Sequence, residues 1–158
     1  MGRFNKIASR LHRLTPKRLA LLIEATILLL LARVAINLLP FKYLMWYFKR
    51  HIKHDEVFGL ERENLLTEVR CAIERAARLL PGSTVCFPRG IAVQLMLLRR
   101  GVCTTLYYGA ATLPDLGLTS HVWVKDGEKG VVGEDCANVY HILARYPNIS
   151  RCSVVDNN

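Results

Sequence analysis

The sequence predicts a single α+β domain in which helices come first and a small antiparallel sheet follows. Apolar residues recur at helical spacing up to about residue 100, whereas short β-branched and aromatic runs dominate beyond it. An Asp-Gly hairpin signal at 126–127 separates two of those runs. With 158 residues, the chain is long enough for one modest core. We expect a basic, apolar helical region over 1–55 that is integrated with a core domain over 56–158.

The first long apolar segment, 19–39, approaches the length of a membrane span. Glu24 and Arg33 interrupt it, and a charge near mid-bilayer costs a few kcal/mol. On a helical wheel Thr26, Arg33 and Asn37 share one face, which is typical of an amphipathic helix. We therefore favour a helix that packs on the core or lies at an interface over one that spans a membrane.

Basic residues are concentrated at the start of the chain. Residues 1–53 hold eleven Lys and Arg against one acid, while the rest holds 11 basic and 12 acidic residues out of totals of 22 and 13. Such an end can bind anionic lipid, an acidic peptide or a partner protein, or can simply be a solvated surface. Because no aromatic ladder or helix-turn-helix pattern accompanies the charge, we expect no nucleic-acid ligand.

Two further helices and a sheet are predicted after residue 55. Apolar residues from 65 to 80 recur at helical spacing before Pro81-Gly82, and a second apolar helix begins at Cys86 and closes near Arg100. We expect His141 to lie in a helical tail. The predicted strands are 102–110, 120–125 and 130–132.

The five cysteines, 71, 86, 103, 136 and 152, form an odd set with no Cys-x-x-Cys pair. That spacing argues against a disulfide framework and against structural zinc. The sequence therefore predicts a cytoplasmic protein with no metal and no cofactor, in which at most one thiol does chemistry.

Cys86 is the candidate nucleophile, because it begins a predicted helix and Pro88 suits the first helical turn. Free amide N–H groups and the helix dipole favour a thiolate there. His121 opens the His-Val-Trp-Val strand and is the candidate base. A helix that covers the His121 face of the sheet would bring the two together. A two-residue turn at 126–127 would then place Glu134 near the imidazole, or Asp135 after a one-residue slip; the alternative for each residue is a structural role.

The stretch Cys-Phe-Pro-Arg-Gly through Arg-Arg-Gly-Val (86–102), followed by His-Val-Trp-Val-Lys-Asp-Gly (121–127), resembles the leader-processing B proteins of lasso-peptide biosynthesis. Glu24-Ala25 and Leu-Leu-Pro-Phe at 38–41 are also similar to that family. The resemblance implies a transglutaminase-like, papain-related fold, with Cys86 as nucleophile and His121 as base. The family has an acidic third residue, but Gly133 occupies one plausible column here, beside Glu134 and Asp135.

The resemblance also implies a function and partners. It predicts a stand-alone cysteine peptidase that removes the leader of a ribosomally made precursor and frees the core N-terminus for macrolactam formation. Its partners would be the precursor peptide, a separate leader-binding protein and an ATP-dependent cyclase. Two alternatives stay open: an acyl transferase with the same Cys/His site, and a non-enzymatic adaptor or membrane-surface protein that uses the basic helical end.

Overall fold

The computed structural model describes residues 15–38, 57–80 and 86–146. Three helices precede an antiparallel sheet, which confirms the predicted α+β class. The elements in chain order are α1 (Pro16–Leu38), α2 (Gly59–Leu79), α3 (Cys86–Leu98), β1 (Thr105–Leu113), β2 (Gly117–Asp126), β3 (Lys129–Val132), a 3-10 helix (Glu134–Val139) and β4 (His141–Tyr146).

The three helices pack together and share one apolar core with the sheet. One face of α1 is buried against α2 and α3 through small and branched aliphatic side chains spaced along successive turns. Glu24 on that helix forms an ion pair with Arg100, just beyond the end of α3. The helical region and the sheet region therefore contribute to a common core cluster.

Helix α3 lies directly on the sheet, and Gly90 makes the close approach possible. A Cβ atom at Gly90 would lie 2.7 Å from Cγ1 of Val122, which is closer than real Cβ atoms approach another heavy atom. Leu106 and Val124 flank the same point. Because Gly90 has no side chain, α3 can pack closely against β2, the strand that carries His121.

The four strands lie in the order β3-β2-β1-β4. Strand β1 pairs with β2 in continuous register, with Gly109 opposite His121. The last strand, β4, begins at His141, so the predicted helical tail is wrong. Its side chains are mostly exposed and it pairs with β1 alone at the sheet edge, which explains why its sequence lacks the alternation of a half-buried strand.

The β2–β3 hairpin turns one residue later than the sequence predicted. Asp126 pairs with Lys129, so Gly127 and Glu128 form the loop, with Gly127 at φ 56°. A register shift follows, and Val132 lies opposite Val124 rather than opposite His121. The predicted approach of Glu134 to the imidazole depended on the other register, so that part of the prediction is wrong.

An ion pair connects the hairpin to the helical layer. The guanidinium of Arg62 on α2 donates to both carboxylate oxygens of Asp126, at 2.8 and 2.6 Å. It also donates to the carbonyl oxygens of Val57 and Cys103. Both charged side chains are largely buried, so the hairpin is held by a bidentate, charge-assisted contact.

The cysteines depart from expectation at one position. Cys71, Cys86 and Cys136 are free thiols, but Cys103 is disulfide-bonded. The expectation of no disulfide is wrong for Cys103, because an odd number of cysteines without a Cys-x-x-Cys pair does not exclude a single disulfide. Within the described ranges, no cluster of three His, Cys, Asp or Glu residues is placed to hold a metal ion.

Candidate active site

Cys86 is the first residue of α3, as the sequence predicted, and its free thiol is half-buried. The first-turn amide groups have no partner within the helix, so they and the helix dipole present positive potential at this end. The neighbouring Phe87 packs edge-on against Tyr108 of β1, with ring centroids 6.2 Å apart. The start of α3 is therefore anchored on the sheet beside the thiol.

His121 is oriented by a main-chain carbonyl. Its Nε2 lies 2.7 Å from the carbonyl oxygen of Gly133, and since a carbonyl only accepts, Nε2 carries the proton and donates. In this tautomer Nδ1 is the acceptor nitrogen, and no described residue donates to it. The imidazole thus has one nitrogen fixed and the other available to take a proton.

Two aromatic rings hold the plane of the imidazole. Trp123 stacks beside it at 5.9 Å between centroids and 19° between planes. The ring of Tyr140 lies 5.1 Å away at 30°. Trp123 is itself buried and stacks on Tyr107 of β1 at 5.6 Å. These contacts restrict both torsions of the His121 side chain.

Gly133 adopts a left-handed backbone conformation that residues with a side chain rarely adopt. It precedes the 3-10 helix in the left-handed conformation, at φ 75°. A Cβ atom there would lie 2.8 Å from the carbonyl oxygen of Val122 and 3.4 Å from Nε2 of His121. The chain therefore runs close enough to β2 for its carbonyl to reach the imidazole only because this position carries no side chain.

The two predicted acidic partners lie elsewhere. Glu134 binds Lys125 across the hairpin at 2.8 Å. Its hydrogen bond to the ammonium holds the pKa of Lys125 above the usual 10.5. Asp135 is exposed on the 3-10 helix. Neither carboxylate hydrogen-bonds to His121, whose one partner among the described residues is the Gly133 carbonyl.

The structure brings the Cys86 helix and the His121 strand together, though not as predicted. Helix α3 covers the face of β2 formed by Val122 and Val124, and strand alternation directs His121 to the opposite face. The expectation that α3 lies over the His121 face is therefore wrong. The thiol and the imidazole do not hydrogen-bond in this geometry, so proton transfer between them requires a rearrangement that brings the two side chains to one side of the sheet.

Arg89, one turn into α3, is a residue to which sequence reasoning gave no role. Its Nε atom is buried and makes no hydrogen bond. A buried donor without a partner is costly in the free protein. A peptide carbonyl or carboxylate that reached the start of α3 would satisfy it. The available signal was its place in the Cys-x-Pro-Arg motif.

A family model for the transglutaminase-like superfamily matches residues 35–144, a span that includes α3, strands β1 to β3, most of β4 and every site residue described above. The chain belongs to the transglutaminase-like superfamily. No curated protein and no solved structure matches the chain.

Transglutaminase-like proteins are typically cysteine proteases or acyltransferases, and their enzymes generally use Cys, His and Asp. In this member His121 Nε2 meets the carbonyl oxygen of Gly133, and no described Asp hydrogen-bonds to the imidazole. The imidazole is therefore oriented by a neutral group.

Proposed function

We propose that this transglutaminase-like protein is a cysteine peptidase that removes the leader from a lasso-peptide precursor. The observation that carries the proposal is the oriented imidazole of His121, whose Nε2 is held by the Gly133 carbonyl. His121 lies on β2, the strand against which the Cys86 helix packs. The superfamily match supports thiol chemistry at this site. The lasso-peptide substrate rests on the resemblance of the Cys-x-Pro-Arg and His-x-Trp-Val motifs.

The proposed reaction uses the two nitrogens of His121 differently. Nδ1 takes the proton of the Cys86 thiol, while Nε2 keeps its proton and its bond to Gly133. The thiolate attacks the carbonyl carbon at the leader–core junction, and the imidazolium then protonates the amine of the departing core. Water hydrolyses the resulting thioester, which releases the leader carboxylate and restores the thiol.

The start of α3 supplies the groups that stabilise developing charge. The backbone N–H group of Cys86 lies at the positive end of the helix, where it can donate to an oxyanion. Removing one such donor elsewhere costs roughly 3 kcal/mol in the barrier. The buried, unpaired Nε of Arg89 gives the substrate backbone a further donor.

The proposal extends to partners that follow from the motif resemblance alone. The precursor would be delivered by a separate leader-binding protein, and the freed core would pass to an ATP-dependent cyclase that closes the macrolactam. Glu134 and Asp135 have no direct role in this scheme, because the first binds Lys125 and the second is exposed to solvent.

The decisive experiment incubates the purified protein with a candidate precursor and its leader-binding partner and reads the products by mass spectrometry. We expect Cys86→Ala to abolish cleavage while the protein stays folded. The matched control is Cys71→Ala, which removes an exposed free thiol and leaves cleavage intact. Retained cleavage by Cys86→Ala contradicts the mechanism.

The same measurement separates hydrolysis from the acyl transfer that this superfamily also performs. Hydrolysis adds one water to the summed product mass, whereas transfer to an amine does not. Glu134→Gln and Asp135→Asn each keep most of the activity if Gly133 orients the imidazole. A loss of about a hundredfold in either variant would assign the third role to that carboxylate instead.

A further inference from the structure

Among the residues that the structure describes, helix α1 has an exposed apolar face along most of its length. Six large aliphatic side chains form this face, which we call the outer stripe, and each is between 45% and 74% exposed. They recur every three or four residues, so they lie on one side of the helix. The outer stripe consists of Ile23, Ile27, Leu30, Leu31, Val34 and Leu38.

The opposite face of α1 fixes the helix to the rest of the protein. It is buried against α2 and α3, and ion pairs join Glu24 to Arg100 and Lys17 to Glu68. Among the described residues, α1 is the one helix long and apolar enough to cross a membrane by length and composition. Because its inner face is already part of the protein core, crossing would require α1 to leave that core.

The chemistry of the outer stripe matches lipid chains better than a protein partner. It contains only Ile, Leu and Val, whereas protein interfaces are enriched in aromatic residues, Met and Arg. Polar side chains at its border satisfy themselves within the helix. Thr26 donates to the carbonyl oxygen of Leu22 at 2.8 Å, and Asn37 donates to that of Arg33 at 3.0 Å. These groups therefore do not require water.

The part of the sequence that contains α1 is basic. Over residues 1–53 basic residues outnumber acidic ones by eleven to one, and the single acid, Glu24, is paired with Arg100. Lys17 and Arg18 are exposed at the first turn of α1, where Lys17 also pairs with Glu68 of α2. A segment of this sign attracts anionic headgroups and repels cationic ones.

We propose that α1 docks the protein on an anionic lipid bilayer, with the helix in the plane of the interface and the outer stripe among the acyl chains. The proposal goes beyond the peptidase function and does not depend on it. Most of α1 precedes residue 35, where the superfamily match begins, so the outer stripe is largely an addition to the shared core.

Vesicle co-sedimentation of the full chain tests the proposal. The protein should sediment with vesicles of equal parts phosphatidylcholine and phosphatidylglycerol, and far less with phosphatidylcholine alone or at high salt. The triple variant Ile27→Gln, Leu31→Gln, Val34→Gln should lose at least about tenfold in affinity. The control replaces three exposed leucines outside α1 with glutamine and should bind like the wild type: Leu60→Gln, Leu116→Gln and Leu118→Gln.

The remaining outcomes overturn the proposal. Wild-type protein that stays in the supernatant has no affinity for the bilayer, and equal loss in the control variant makes binding nonspecific. Light scattering after gel filtration tests whether a second copy of the chain covers the outer stripe instead. A lipid-free wild-type dimer that becomes monomeric in the triple variant would show that it does. Circular dichroism melting should show the same Tm for the stripe and control variants, since all six positions are exposed.

Discussion

Gly90→Ala tests the packing that sets α3 against β2. The added methyl would lie 2.7 Å from Val122 Cγ1, and Val122 is buried and restricted by its β-branch. Overpacking of this kind costs about 1–3 kcal/mol, and the better helix propensity of alanine returns about 1 kcal/mol. We expect a net loss of up to about 2 kcal/mol in the free energy of unfolding.

Val122→Ala provides the second half of a double-mutant cycle. Alone it removes two buried methylene-sized groups and costs about 2 kcal/mol. In the double variant the clashing atom is gone and the new methyl occupies part of the vacated space. The two effects should therefore fall short of their sum by about 1–2 kcal/mol.

Urea unfolding followed by circular dichroism measures all four corners of the cycle. Precursor cleavage should fall in Gly90→Ala, because the helix that carries Cys86 is lifted, and should recover in part in the double variant. Additivity within about 0.5 kcal/mol would refute the claim that Gly90 and Val122 are in limiting contact.

Three other predictions concern the hairpin and the turn that follows it. Gly133→Ala should destabilise the folded protein by about 1–2 kcal/mol, because alanine is strained at this positive φ. It should also change kcat more than the substrate KM, with kcat reduced, because the carbonyl moves away from His121. An unchanged kcat would show that this contact is dispensable. Lys125→Gln should lower Tm at neutral pH. Because the pKa of Lys125 is raised in the folded state, the difference in Tm from wild type should vanish as pH rises above 10.5. A difference that stays constant with pH would contradict the ion pair as its source. Arg62→Met should lower the free energy of unfolding in urea by about 3 kcal/mol, because it leaves the buried carboxylate of Asp126 without its partner. Adding Asp126→Leu should recover part of that loss. A loss below about 1 kcal/mol would mean that the ion pair is solvated.

The elements with strong periodicity were predictable from the sequence. Helix α1 was expected over 19–39 and spans Pro16–Leu38, and the helix expected to begin at Cys86 does so. Strand β4 was not predictable, because an exposed edge strand bears no alternating pattern. The hairpin register was missed because the turn at Gly127 and the shift after Val124 each move the pairing by a residue.

The candidate site was predictable where side chains define it and not where the backbone does. Cys86 and His121 stand out by residue type and motif. The partner of His121 is a carbonyl that every residue possesses, so a search for carboxylates pointed to Glu134 and Asp135 instead. The one available signal was the glycine at position 133, which occupies one plausible column for the acidic residue of the resembled family.

Because the group that orients His121 is the main-chain oxygen of Gly133, the orientation of the imidazole depends on the path of the backbone. A carboxylate that orients a histidine is lost by a single side-chain replacement, but no replacement at position 133 deletes its main-chain oxygen. Such a site tolerates mutation of nearby acids and is vulnerable to any insertion, deletion or φ change that shifts the loop.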